Sequence, residues 1–200
     1  LKNRLIVIAL SLMFLACEQE QSLNLQLNPE ILSLQPSSTA RQFVSSLGDT
    51  ISLSLVNSEA SVEEINEGGL IGNLNYELIK TERRWYQTQC DSPFFRFDYQ
   101  FSCFPSSTSG QNQRDDLVLS FSDENGEKAE SLSISYNGET FVLDPNLLIY
   151  YDSLNLINQV YYEVFSPLNG TEDFKQFYFT GQQGIVGFVS GDNVAFERIN

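Results

Sequence analysis

Apolar and polar residues alternate along most of this 200-residue chain with a period of two, the signature of strands that bury one face. Ile51, Leu53 and Leu55 alternate with serines behind the turn pair Gly48-Asp49. Residues 75 to 89 form one long strand pattern. Across Asp91-Ser92-Pro93, residues Phe95, Phe97, Tyr99 and Phe101 return, which predicts a hairpin with one aromatic face. Leu117, Leu119 and Phe121 run into the turn Asp123-Glu124-Asn125-Gly126, and Leu132, Ile134 and Tyr136 lead to Asn137-Gly138, with 140–143 returning. Asn-Gly between alternating runs is a strong hairpin signal, because both residues tolerate the positive φ of a type I′ turn. Four more strands are predicted at 160–165, 174–179, 185–189 and 194–199, with Ser190-Gly191-Asp192-Asn193 joining the last two. No stretch sustains a helical period, although Ala60 to Glu67 is expected to hold an acidic helical turn or two. Roughly ten sequential antiparallel strands predict an all-β domain, a single meander forming a β-sandwich or a partly open barrel.

The N-terminus breaks this pattern. Lys2 and Arg4 precede an almost wholly apolar run, Leu5 to Ala16, which stops at Cys17-Glu18-Gln19-Glu20. Charge, apolar core and small residue make a secretory signal peptide, and the run is shorter than the roughly 20 residues a membrane-spanning helix needs. Phe14-Leu15-Ala16-Cys17 resembles a lipobox, with Phe where Leu is usual. The resemblance implies cleavage after Ala16 and acylation of Cys17, whose acyl chains would hold the protein on a membrane at about 0.8 kcal/mol per buried methylene. The expected organisation is therefore a signal peptide at 1–16, a lipidated N-terminus and tether at 17–37, and one all-β domain at 38–200. Leu23, Leu25 and Leu27, then Leu32 and Leu34, alternate with polar residues, so part of the tether is expected to pair with the body.

Export changes the reading of the cysteines. Without the anchor, Cys90 and Cys103 remain, and an even pair in an oxidising compartment predicts a disulfide. A closed loop of about 15 residues would contribute on the order of 3 kcal/mol. The chain contains no histidine, which excludes Ser-His-Asp and Cys-His catalysis and histidine-ligated metals. No cofactor or metal is expected. Losing Lys2 and Arg4 leaves nine basic against 26 acidic residues, a net charge of −17, which excludes nucleic acid as a partner. Carboxylate pairs remain for glycosidase-type chemistry, at Asp115 and Asp116 or Glu172 and Asp173. These are read as turn residues beside strands, where solvation and capping account for them, so no catalytic residue is assigned. The segment 123–126 is read as a hairpin turn and not a calcium loop, because Phe121 stands where an acidic ligand would be required.

Trp85, Tyr86, Tyr99, Tyr150, Tyr151, Tyr161, Tyr162 and Tyr178 are candidates for a carbohydrate or peptide surface, with ordinary strand composition as the plainer account. Tyr161 and Tyr162 are adjacent, so one of them is expected to face away from the core. Asp49-Thr50-Ile51 and Asp152-Ser153-Leu154 resemble O-glycosylation acceptor sites of Bacteroidota, implying modification at Thr50 and Ser153. Glu18 and Glu20 after the lipidated cysteine resemble a surface-export signal of the same group, and Asn169-Gly170-Thr171 fits an N-glycosylation sequon. Leu154-Asn155-Leu156, Tyr161-Tyr162-Glu163-Val164-Phe165, Phe177-Tyr178-Phe179 and Gly184-Ile185-Val186-Gly187-Phe188 together resemble small uncharacterised lipoproteins of Bacteroidota, which implies a β-domain and an envelope location. The expected function is that of a non-enzymatic, lipid-anchored envelope protein, in the outer membrane on its periplasmic face or at the cell surface, binding an envelope protein or glycan. The alternatives are a carboxylate-dependent hydrolase acting on glycans, or a structural accessory of an outer-membrane complex.

Overall fold

The computed structural model describes residues 21–65, 76–91, 94–105, 113–122, 128–143, 148–168, 176–190 and 192–199. The expected signal peptide at 1–16, Cys17, the expected turn at 123–126, the sequon-like 169–171 and the Glu172-Asp173 pair lie outside these residues. Those described form β1 (Gln21–Leu25), α1 (Pro29–Leu32), β2 (Arg41–Ser45), β3 (Thr50–Ile65), β4 (Tyr76–Asp91), β5 (Phe94–Pro105), β6 (Gln113–Ser122), β7 (Lys128–Tyr136), β8 (Phe141–Leu143), β9 (Leu148–Asn155), β10 (Val160–Pro167), β11 (Gln176–Thr180), β12 (Gly184–Val189) and β13 (Ala195–Arg198). Neighbours in sequence pair antiparallel from β2 to β8 and from β9 to β13, and β13 pairs with β2, giving the order 8-7-6-5-4-3-2-13-12-11-10-9. The meander curls into a nearly closed barrel, with β10 packed against β7 where the two ends approach.

The alternation read from the sequence sets the interior. Odd-numbered residues of β5 and β6 point inward, so Phe95, Phe97, Tyr99, Phe101, Leu117, Leu119 and Phe121 are buried. Phe188 of β12 stands at the centre: its ring meets Phe95 at 5.0 Å, Phe97 at 5.7 Å and Phe121 at 5.8 Å, and stacks on Phe196 at 4.8 Å. Rings from β5 and β6 thus reach rings from β12 and β13 across the barrel. Such contacts add about 0.5–1.5 kcal/mol per pair to the burial of apolar area.

The N-terminal segment belongs to this core. β1 pairs in parallel with the first half of β4, placing Leu23 opposite Ile79 and Leu25 opposite Thr81. Pro29 opens α1 with the φ a first helical turn needs, Ile31 is fully buried, and Leu25, Leu27 and Leu34 are nearly so. The expected pairing of this stretch with the body is found: from Gln21 onward the segment is a strand and a plug held by apolar burial, so the body begins before residue 38. The expected helical turn at Ala60 is corrected, because 60–65 continue β3. Glu64 lies directly opposite Lys80 and pairs with it at 2.8 Å, and Glu63 pairs with Arg83, so cross-strand charge overrides local helix preference.

The predicted disulfide does not form: Cys90 and Cys103 are both buried thiols. Cys90 lies opposite Phe95, eight residues from Cys103 along β5. At about 3.3 Å per residue this separates the cysteines by about 26 Å, against the roughly 7 Å limit between Cα atoms of a disulfide.

The β9–β10 hairpin has a bend of its own. Glu163, in the middle of β10, has φ 53, in the left-handed region that side chains avoid. Beyond it Tyr161 is buried with Val164, Tyr178 and Val186 in a second cluster, while Tyr162 is exposed, as alternation predicted. A register shift between β11 and β12 turns Gly187 toward this cluster, opposite Tyr178 and Glu197. Glu197, although buried, is satisfied there by the backbone N–H groups of Asn158 at 2.7 Å and Gln159 at 2.9 Å.

Candidate functional site

Asp115 and Asp116 are not turn residues but neighbours within β6, and so face opposite sides of the sheet. Asp115 points inward, fully buried; its Oδ2 accepts the Asn28 N–H at 2.9 Å, and its Oδ1 accepts a bond from the Gln113 amide. Glu82 of β4 accepts the Leu27 N–H at 3.0 Å, and its other oxygen accepts from Arg84 Nε at 2.7 Å. Between them Cys103, register partner of Asp115, directs its Sγ at the carbonyls of Leu25 and Glu82, 3.4 Å from each. Three adjacent strands therefore supply three polar side chains that grip residues 25–28.

Their chemistry is that of a clamp. Burial raises the Asp115 carboxyl above its ordinary value, and the bonds from Gln113 and Asn28 pull it back. Burial also pushes the Cys103 thiol up to about 11, so it stays protonated and poorly nucleophilic. Asp116, outside, accepts from Arg114 at 2.8 Å and from the Ser135 hydroxyl at 2.6 Å. Both members of the predicted acidic pair are thus engaged by the protein's own donors, on opposite sides of a strand.

The aromatic candidates separate by location. Tyr86, Tyr99, Tyr161 and Tyr178 are buried, Tyr150 and Tyr162 are exposed, and Tyr151 and Trp85 are half-buried. Trp85 lines a groove, 470 Å³ in volume, on the outer side of β3, β4 and β5. The register explains its lining: Glu59, Trp85 and Gln100 lie in one row across the three strands, and Ser61, Arg83 and Ser102 in the next. One indole is thereby flanked by a carboxylate, a guanidinium, an amide and two hydroxyls. An aromatic face among fixed donors and acceptors is the chemistry that holds sugar rings or extended peptide. Composition pointed to Trp85; its polar neighbours come from other strands and have no signature in the sequence around it.

Thr50, the first residue of β3, and Ser153, in β9, are both exposed. Among the described residues no cluster of three acidic or cysteine side chains could hold a metal ion, and no helix is long and apolar enough to cross a membrane. No protein-family model, curated protein or solved structure matches the chain.

Proposed function

We propose that this chain is a lipid-anchored cell-envelope protein, held on the membrane through Cys17, whose barrel is a non-enzymatic binding module. The Trp85 groove carries the reading: an aromatic platform ringed by Glu59, Arg83, Gln100 and Ser102 on the outer face of long, paired strands. Its ligand is an envelope glycan, the indole stacking on an apolar sugar face while the polar side chains bind hydroxyls. The engagement of Asp115 and Asp116 supports binding over hydrolysis, since general acid and base work needs carboxyls open to substrate.

Trp85 is the chain's single tryptophan, so its emission reports directly on the groove. Titration with envelope oligosaccharides is expected to shift and quench that emission saturably, and Gln100→Ala to weaken the titration. Saturable hydrolysis of the same sugars, abolished by Asp116→Asn, would overturn the reading in favour of the enzyme. For the anchor, Cys17→Ala is expected to abolish metabolic lipid labelling; labelling that persists would refute it.

A further inference from the structure

Five basic side chains, Lys80, Arg83, Arg84, Arg96 and Arg114, each sit against a carboxylate. Arg41 and Arg198 meet none among the described residues. They come from β2 and β13, adjacent strands, and converge on one acceptor: the Gln183 carbonyl takes a bond from Arg41 Nη1 at 2.9 Å and from Arg198 Nη1 at 2.6 Å. Two like charges are thereby fixed within two hydrogen-bond lengths of each other, in a chain whose net charge is −15. Gly184 makes room for this. Its φ is +73, and a Cβ there would come within 2.8 Å of Arg41 Nη1.

The space beside Arg41 has the donors that this arrangement calls for. A small cavity is lined by Arg41, Thr88, Tyr99, Ser37 and Thr39, and it admits one water-sized sphere whose centre has 10 Å³ in which to move. Thr88 is 6% exposed, and its hydroxyl, in electrostatic reach of the Tyr99 phenol, makes no well-formed hydrogen bond among the described residues. Arg41 Nε is likewise buried without one. Unsatisfied donors of this kind are costly, and here they stand beside two guanidinium groups with no carboxylate against them among the described residues. We propose that this cavity binds a monoatomic anion, chloride, held by Arg41 Nε–H and the hydroxyls of Thr88 and Tyr99 in the field of Arg41 and Arg198. Phosphate, sulfate and carboxylate ligands are too large for the space. The anion offsets the repulsion between the arginines and locks β2 to β13, where the two halves of the sheet join.

The test uses the whole chain and compares thermal unfolding in sodium chloride, sodium bromide and sodium gluconate at equal ionic strength. Gluconate cannot enter the cavity, so screening is matched while occupancy is not. Chloride and bromide are expected to raise the unfolding temperature saturably above gluconate, and bromide-grown crystals to show an anomalous peak between Arg41 and Thr88. Thr88→Val keeps the shape and removes one donor; it should unfold at the wild-type temperature or above in gluconate, yet need about tenfold more halide for the same effect. Arg41→Gln should remove the halide effect entirely. Identical unfolding in the three salts overturns the proposal, as does a site that bromide leaves to water. A halide effect unchanged in Thr88→Val also overturns it, and that variant carries the test if Arg41→Gln does not fold.

Discussion

Asp115 and Asn28 are joined by a 2.9 Å hydrogen bond from backbone amide to buried carboxylate, across 87 positions of the chain. With the Glu82 bond to Leu27, it makes the N-terminal segment a part of the barrel and not an appendage to it. Asp115→Ala is expected to cost about 1–3 kcal/mol, the penalty for a buried amide left without its acceptor. Hydrogen exchange should show faster opening at residues 25–36 while β5 and β6 stay protected.

The same carboxyl sets a pH dependence. Its folded pKa lies above the unfolded value, so ionisation favours the unfolded chain; the folded state gains as pH falls from neutral through the folded pKa toward the ordinary value of about 4. The stability of wild type relative to Asp115→Asn is therefore expected to improve over that interval in urea titrations. A difference that is flat, or that worsens on acidification, would contradict the burial assigned to this group.

Cys90 and Cys103 are expected to remain separate thiols under oxidising conditions. Alkylation after denaturation should modify both, and native protein at about pH 8 should leave Cys103 unreacted, because its thiol is raised to about 11. Since the unfolded thiol ionises near its ordinary value, the stability associated with Cys103 is present below about pH 9 and is lost as pH rises toward 11.

Tyr99 gives the corresponding alkaline signature inside the barrel. Burial pushes its phenol up to about 12, against the opposing pull of Arg41 and Arg198. The unfolded phenol ionises first, so stability is lost between about pH 10 and 12, at about 1.4 kcal/mol per unit. Tyr99→Phe should flatten that loss, measured as the drop in urea midpoint across this range.

Gly187 is expected to resist substitution for reasons of space alone. A Cβ there would lie 2.6 Å from Leu156 Cδ1 and 2.7 Å from the Phe196 carbonyl oxygen. Gly187→Ala should destabilise by about 1–3 kcal/mol, and adding Leu156→Ala should recover only part of this, because the backbone oxygen cannot retreat.

The strands of the middle of the chain were legible because one face is apolar and the period is two: Phe95, Phe97, Tyr99 and Phe101 announce both the strand and its inward side. What escaped was set by partners distant in sequence. The alternation of Leu23, Leu25 and Leu27 showed that this stretch pairs with the body, but not that its partner is β4, in parallel, or that carboxylates far along the chain hold the next residues. Cys90 and Cys103 are close in sequence yet stand toward opposite ends of a hairpin. Of the binding surfaces, Trp85 was visible as an aromatic, whereas Arg41 and Arg198 become neighbours only when β13 meets β2.

That meeting also orders events in time. A chain that emerges N-terminus first exposes β2 early, yet the strand that pairs with its other edge, β13, comes from the far end. Until Ala195 to Arg198 arrive, no strand links β12 to β2, and the two runs of sequential hairpins are not joined edge to edge. Long-range closure of this kind slows folding. Closure of the barrel therefore waits for its last strand.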